Sequence, residues 1–380
     1  MRGVTRFLKI SGAVLACLGM AELALRLQQW WGPVYDLEAH ATNMDWYSDV
    51  VNHRAPKHLV ETFKGKSVYG DLAGFSYTLE FDDHGIRRPI SQTTVPNCSK
   101  TVSILFMGDS VIQGYDVPHS VPDQVAHELA EKHGICSTIY NTGSATYSPA
   151  IFVPLARQVL QAIKVQYAVV DIDETDLGDD VDRYEWLITR NAAGENVGVR
   201  ATPGNVEITQ RLVAIRSRAL YLQRLAEKMY VMKVVIPRVD IQYDLYRFSR
   251  DHDPDLETRY AKELAIFRRN LTELIDVLGQ HVGGAGHVLF IHHPHLENLT
   301  PDPKDGKVWN DMVSATVGKV AAEHGALYFD ATDEMRKDFA GRPQDFYWRS
   351  DKHFTFEAQR FYSDAITAFL AGTSTRTALP

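Results

Sequence analysis

Ser110 ends the run Ile104-Leu-Phe-Met-Gly-Asp-Ser110. Four apolar residues read as the end of a buried strand, Gly108 and Asp109 break the run, and a helical pattern starts at about Val121. A serine where a parallel strand turns toward a helix sits at the carboxyl edge of a sheet, where open α/β folds build their sites. Free N–H groups at a helix start add a positive end there. Ser110 is a nucleophile if a base reaches it, and otherwise a polar turn after a core strand. His353 is the candidate base, with Asp351 two residues before it. In an extended loop that spacing lets the carboxylate hold the second imidazole nitrogen, the orienting role in a serine triad. The alternative is a structural histidine ahead of a helix. The oxyanion donors would be the Ser110 amide, the Gly143 amide of Asn141-Thr-Gly143 and the Thr175 side chain. Glycine at 143 lets backbone approach a ligand closely.

A second chemistry competes in Val169-Val-Asp-Ile-Asp-Glu-Thr175. This resembles the strand-end Asp-x-Asp-x-Thr of haloacid-dehalogenase-like phosphatases. The resemblance implies Asp171 as nucleophile, Asp173 as acid/base and Mg²⁺ as obligatory partner. A second strand-end Ser or Thr, a placed Lys and a later acidic pair should follow, and only Asp330 with Asp333 offers itself. Asp179, Asp180 and Asp182 read as solvated loop carboxylates. His292-His293-Pro294-His295 invites a metal reading, but adjacent imidazoles diverge and three cannot easily share one tetrahedral ion. They read as satisfied polar residues at the site edge, so no metal or other cofactor is expected for the serine chemistry. Asn270-Leu-Thr272 and Asn298-Leu-Thr300 match the glycosylation tripeptide, the first inside an expected helix.

These residues need a scaffold that turns them to one edge. Strands are expected at Thr101–Met107, Ser137–Asn141, Tyr167–Ile172, Gly286–Ile291 and Ala326–Phe329. Helices are expected at Val121–His133, within Tyr147–Lys164, and at Asp255–Leu278, Val308–His324 and Phe356–Leu370. Strand–helix alternation with continuous apolar strands argues a parallel sheet covered on both faces. Residues 177–253 interrupt it: a hairpin of Tyr184–Thr189 with Val197–Arg200 around Asn191-Ala-Ala-Gly194, then a long helix, Val206–Tyr230. Such an insertion is either a lid over the carboxyl edge or surface decoration.

The 380 residues are 45% hydrophobic and carry a formal charge of −8 without a long basic run, which argues against a nucleic-acid partner. At the start, Arg2, Arg6 and Lys9 precede an apolar run from Ile10 to Leu27, and Trp30 and Trp31 follow. That order reads as a signal anchor with the body of the protein outside the cytoplasm. The run is short and carries Glu22, four residues before Arg26 on one helical face. A cleaved signal peptide, a lipoprotein site at Val14-Leu-Ala-Cys17 and a buried soluble helix are the rivals. Cys98 and Cys136 each precede a strand. Successive parallel strands are often neighbours, so a bridge is within reach; otherwise they are two unrelated thiols. Residues 32–99 form a β-rich extension with a strand at Phe75–Phe81, and the tail after Gly372 is expected to fray.

The combination resembles the SGNH (GDSL) hydrolase family, esterases and acyltransferases on a flavodoxin-like three-layer αβα sandwich. Gly108-Asp109-Ser110 with Gly114 is similar to the first block, which supplies the nucleophile and one oxyanion N–H. Asn141-Thr-Gly143 with Tyr147-Ser148 is similar to the second, and Asp351-Lys-His353-Phe-Thr with Glu357-Ala358 to the last. Phe81-Asp-Asp-His-Gly-Ile-Arg-Arg-Pro89 and Glu22-Leu-Ala-Leu-Arg26 resemble segments of membrane-anchored members. The resemblance implies a Ser110–His353–Asp351 triad acting on an acylated small molecule, glycan or lipid, in a domain spanning 100–372. Two departures stand out. Thr175 takes the place of an oxyanion asparagine, and the acid lies two rather than three residues before the histidine, a spacing similar to polysaccharide O-acetyltransferase-like relatives.

Overall fold

The computed structural model describes residues 12–13, 16–24, 60–64, 76–80, 82, 86–87, 98, 100–114, 119–144, 146–199, 253–299, 308–338, 342, 345–347 and 353–372. Asp351, the Val206–Tyr230 helix and most of the anchor segment lie outside these. The chain divides into two compact units, residues 1–52 with 201–239, and residues 53–200 with 240–380. In the first, the described residues form a helical stretch at 16–24 on which Leu18, Met20 and Leu23 are exposed. Among the described residues no helix is long and apolar enough to cross a membrane.

The second unit is built on a parallel five-stranded sheet. Its strands are β3 (Lys100–Met107), β4 (Ile135–Asn141), β5 (Tyr167–Ile172), β8 (Val288–His292) and β9 (Leu327–Asp330), in the spatial order β4-β3-β5-β8-β9. Two small antiparallel pairs accompany it: β1 (Val60–Lys64) with β2 (Ser76–Glu80), and β6 (Ile188–Arg190) with β7 (Asn196–Val199). The chain winds from β3 to β4 on one side, then crosses to β5 on the other. The β3/β5 junction is therefore the switch point, where a crevice opens beyond the carboxyl ends. Met107 pairs with Val170 there, so the loops after the two strands leave side by side.

Helices cover both faces, as the apolar strands demand. On one face Val121–His133 packs along Phe356–Leu370. Val121, Val125, Leu129, Tyr362 and Ile366 bury with Ile104 and Phe106 of β3. The other layer packs Pro149–Ala162 on Ala261–Val282, which in turn meets Trp309–His324. Burying these side chains drives the fold, at about 1.5–3 kcal/mol each. Cys98 and Cys136 form a disulfide, with Cα atoms 5.4 Å apart. The parallel register explains it, since Thr101 pairs with Cys136.

Some expected boundaries move. Tyr184 to Leu187 are helical rather than strand, forming a π-turn at Asp179–Tyr184 and a 3-10 turn at Glu185–Leu187. The hairpin is confined to β6 and β7. The helix expected from Asp255 breaks at Tyr260 and continues as Ala261–Val282. Thr332–Asp338 adds a helix that the apolar periodicity did not announce.

Candidate active site

Ser110 opens a single helical turn, Ser110–Gln113, rather than the long helix that starts at Val121. Asp109 caps that turn, accepting from the Val111 N–H at 2.8 Å. Gly114 closes it at φ 73°, in the left-handed region that favours glycine. Buried Ile112 pins the turn against the core. Gly108 is glycine for a steric reason, since a Cβ there would sit 2.9 Å from the Asp171 Cβ on β5.

His353 comes from the far end of the chain and is fixed by its neighbours. Phe354 is buried in the core and pairs antiparallel with Tyr347. The Thr355 N–H donates to the Phe346 carbonyl at 2.8 Å, and the Thr355 hydroxyl caps the final helix at Ala358. The imidazole is thereby held over the first loop, and His353 Nε2 lies 2.9 Å from Ser110 Oγ. That is within the about 2.6–3.2 Å expected of a nucleophile and its base. Asp109 Oδ2 also lies 3.3 Å from Ser110 Oγ. Burial, then the charges of Asp173 and Asp171, push the Asp109 carboxyl up to about 6 against the pull of His293.

The oxyanion donors expected at Gly143 and Thr175 are turned elsewhere. The Gly143 N–H donates to its own neighbour, Asn141 Oδ1, at 2.9 Å. The Asn141 amide donates in turn to the Ile112 carbonyl at 2.8 Å. Glycine is needed at 143 because a Cβ would press into the backbone of Ile112 and Gln113. Its smallness thus serves loop-on-loop packing. The Thr175 N–H and hydroxyl both donate to Asp173 Oδ1 at 2.6 Å, and a hydroxyl has one proton to give. Among the described residues the Ser110 amide alone of the three donors keeps its N–H uncommitted.

Several residues that sequence reasoning passed over position this loop pair. Buried Arg87, in the β-rich extension, pairs its backbone with Asn141, and its guanidinium donates to the Gln113 carbonyl at the end of the serine turn. The segment Ile86-Arg-Arg-Pro89 was visible in the sequence; its reach into the site was not. Asp179 and Asp180 are buried rather than solvated, and burial pushes each up to about 7. Asp180 accepts from Ser148 Oγ at 2.6 Å and from the Ala150 N–H at 2.7 Å, so it caps the Pro149–Ala162 helix across space. It also accepts from Asn270 Nδ2 at 2.8 Å. Asn270 and Asn298 are both buried with their amides engaged, so neither is placed as a glycan acceptor.

Asp171 and Asp173, the phosphatase pair, are buried and face histidines. Asp171 Oδ1 accepts from the Tyr362 hydroxyl and lies 2.9 Å from His293 Nδ1. Burial works against ionising Asp173, but His295, His293 and the Thr175 hydrogen bond hold its carboxyl well below the usual range. Asp330 is committed to Ser314 and to the Thr332 N–H, while Asp333 pairs with Arg336. They do not form a joint acidic site. His292 leaves its neighbours, as expected of adjacent side chains, and meets Asn310 at 2.7 Å. His293 and His295 instead converge, with ring centroids 5.9 Å apart.

No family model and no curated protein matches the sequence. Solved structures similar in fold include LAE5, an α/β hydrolase enzyme from the metagenome of Lake Arreo, Spain. It is 12% identical with a TM-score of 0.41, over 72% of this chain and 95% of that one. A lipase/acylhydrolase from Enterococcus faecalis is 14% identical, TM-score 0.39, over 73% and 100%. A catalytic mutant of Axe2, an acetylxylan esterase from Geobacillus stearothermophilus, is 12% identical, TM-score 0.42, over 72% and 95%.

Proposed function

We propose that the chain is a serine ester hydrolase or O-acyltransferase. The observation that carries the reading is the 2.9 Å approach of His353 Nε2 to Ser110 Oγ at the switch point of the sheet. Ser110 Oγ attacks the acyl carbonyl as its proton passes to His353 Nε2. The tetrahedral oxyanion forms against the Ser110 N–H. His353 then returns the proton to the leaving alkoxide, and the acyl group stays on Ser110. In the second half His353 deprotonates the acceptor, water in an esterase or a sugar hydroxyl in a transferase, as it attacks the acyl carbonyl. The bond from the acyl carbon to Ser110 Oγ then breaks and His353 returns the proton to Oγ. Asp351 is assigned to orient His353, on the two-residue spacing alone. The substrate is an acylated glycan or lipid of the cell envelope, with the chain held at the membrane by its N-terminal segment and the catalytic unit outside the cytoplasm. The Cys98–Cys136 bridge supports export, because structural disulfides persist in oxidising compartments.

The phosphatase reading loses support from Asp171, which is buried and whose Oδ1 is engaged by His293 and Tyr362. A non-catalytic binding module gains some from the two committed oxyanion donors. Assaying p-nitrophenyl acetate and p-nitrophenyl phosphate with the wild type, Ser110→Ala and Asp171→Asn separates the three. Acetate turnover should fall by at least about 10³ in Ser110→Ala. Turnover that survives that change sinks the serine mechanism. Mg²⁺-dependent phosphate turnover lost in Asp171→Asn would install the phosphatase, and no turnover of either ester by the wild type favours the module.

A further inference from the structure

We propose that Asp173, His293 and His295 form a binding site for one divalent first-row transition cation, with Zn²⁺ the best match. It joins the loop after β5 to the loop after β8.

The geometry is that of ligands already aimed. His293 Nε2 lies 3.6 Å and His295 Nε2 2.9 Å from the same oxygen, Asp173 Oδ2. One ligand atom from each of the three residues falls within 4.8 Å of the others. Tetrahedral zinc with bonds of about 2.0–2.1 Å sets its ligands roughly 3.3 Å apart, between the two observed separations. The opposite nitrogen of each ring is held by a carboxylate. His293 Nδ1 sits 2.9 Å from Asp171 Oδ1, and His295 Nδ1 sits 3.3 Å from Glu174 Oε1. A carboxylate behind each histidine is the arrangement that fixes a metal-binding imidazole's tautomer and raises its basicity. The outer carboxylates are fixed too, Asp171 by the Tyr362 hydroxyl and Glu174 by the Asn298 amide at 3.0 Å.

Charge balance points the same way. Asp171, Asp173 and Glu174 are all buried, and among the described residues no lysine or arginine pairs with any of them. Buried carboxylates without a compensating positive charge are strongly unfavourable. Compensation comes from protons on the carboxyls or imidazoles, or from a bound cation, and these are the competing states. Two neutral nitrogens with one carboxylate oxygen suit zinc, iron or manganese. Mg²⁺ prefers all-oxygen ligands, so this cluster, although it shares Asp173 with the phosphatase reading, is a poor Mg²⁺ site. The side chains of Asp173 and His293 are 4% exposed and that of His295 is 28%, which leaves an entry path on the His295 side. On binding, Asp173 and the two Nε2 lone pairs donate to the metal, and any Nε2 proton leaves to solvent.

The test uses the full chain without a histidine tag, stripped by chelator and titrated with Zn²⁺ against a chromophoric competitor. One equivalent should bind tightly and raise the melting temperature, and excess Mg²⁺ should not displace it. Co²⁺ in its place should give the intense visible absorption of a four- or five-coordinate ion. His295→Gln, at the more exposed ligand, and Asp173→Asn should each weaken binding at least a hundredfold and abolish the Co²⁺ band, with far-UV circular dichroism confirming the fold. Failure of the wild type to bind one equivalent overturns the proposal, as does equal binding by a folded His295→Gln. If neither variant folds, the wild-type stoichiometry and Co²⁺ spectrum decide. None of these readouts requires Ser110 to be catalytic, so the result stands apart from the ester reading.

Discussion

Ser110 and His353 meet at hydrogen-bond distance, yet two of the three donors expected to face the developing charge, Gly143 and Thr175, are engaged elsewhere. Thr175 offers only a short side chain. Its hydroxyl folds back onto Asp173 Oδ1 instead of extending toward the serine. Loss of a true oxyanion donor costs about 10²–10³ in kcat. Thr175→Val should therefore lower kcat/KM for p-nitrophenyl acetate by less than about tenfold. A loss of a hundredfold or more would mean that the hydroxyl swings round to the substrate. Ser110, His353 and Gly143 were legible as residues because their types and loop positions announce them. That the Gly143 amide bonds Asn141 was not, because the bond depends on how two sequence-distant loops pack. The same holds for His293 and His295. Both follow the end of β8, and the diverging His292–His293 pair obscured that the residues two apart converge.

Among the elements, Val121–His133, Tyr167–Ile172 and Phe356–Leu370 coincide with the structure. Short elements escaped because one helical turn leaves no period to read. The buried acid at Asp180 escaped as well, since its partners are a helix N-terminus and Asn270, far away in sequence. Burial raises its folded pKa from 3.8 to about 7, so the folded chain keeps a proton that the unfolded chain releases. Its contribution to stability is present in full below the unfolded value and is lost as pH rises through the folded one. From about pH 4 to about pH 8 the wild-type melting temperature should fall more steeply than that of Asp180→Asn. Parallel curves would show that Asp180 does not hold its proton on folding.

At the scale of the molecule, the parallel sheet and the bridge across its edge organise the second unit. The Cys98–Cys136 bridge ties the approach to β3 onto β4, over a sequence separation of 38. Chain-entropy reasoning gives such a closure about 3–4 kcal/mol. Cys98→Ser with Cys136→Ser should lower the urea midpoint accordingly while leaving the pairing of Ser110 with His353 intact. A midpoint unchanged from the wild type would show that β3 and β4 hold their register without the bond. The sequence separation of 243 from Ser110 to His353 has a temporal meaning as well. Chains emerge and fold from the N-terminus, so Ser110 is in place long before His353 exists. On the proposed mechanism the serine stays unarmed until the final segment is made, and reactivity arrives last.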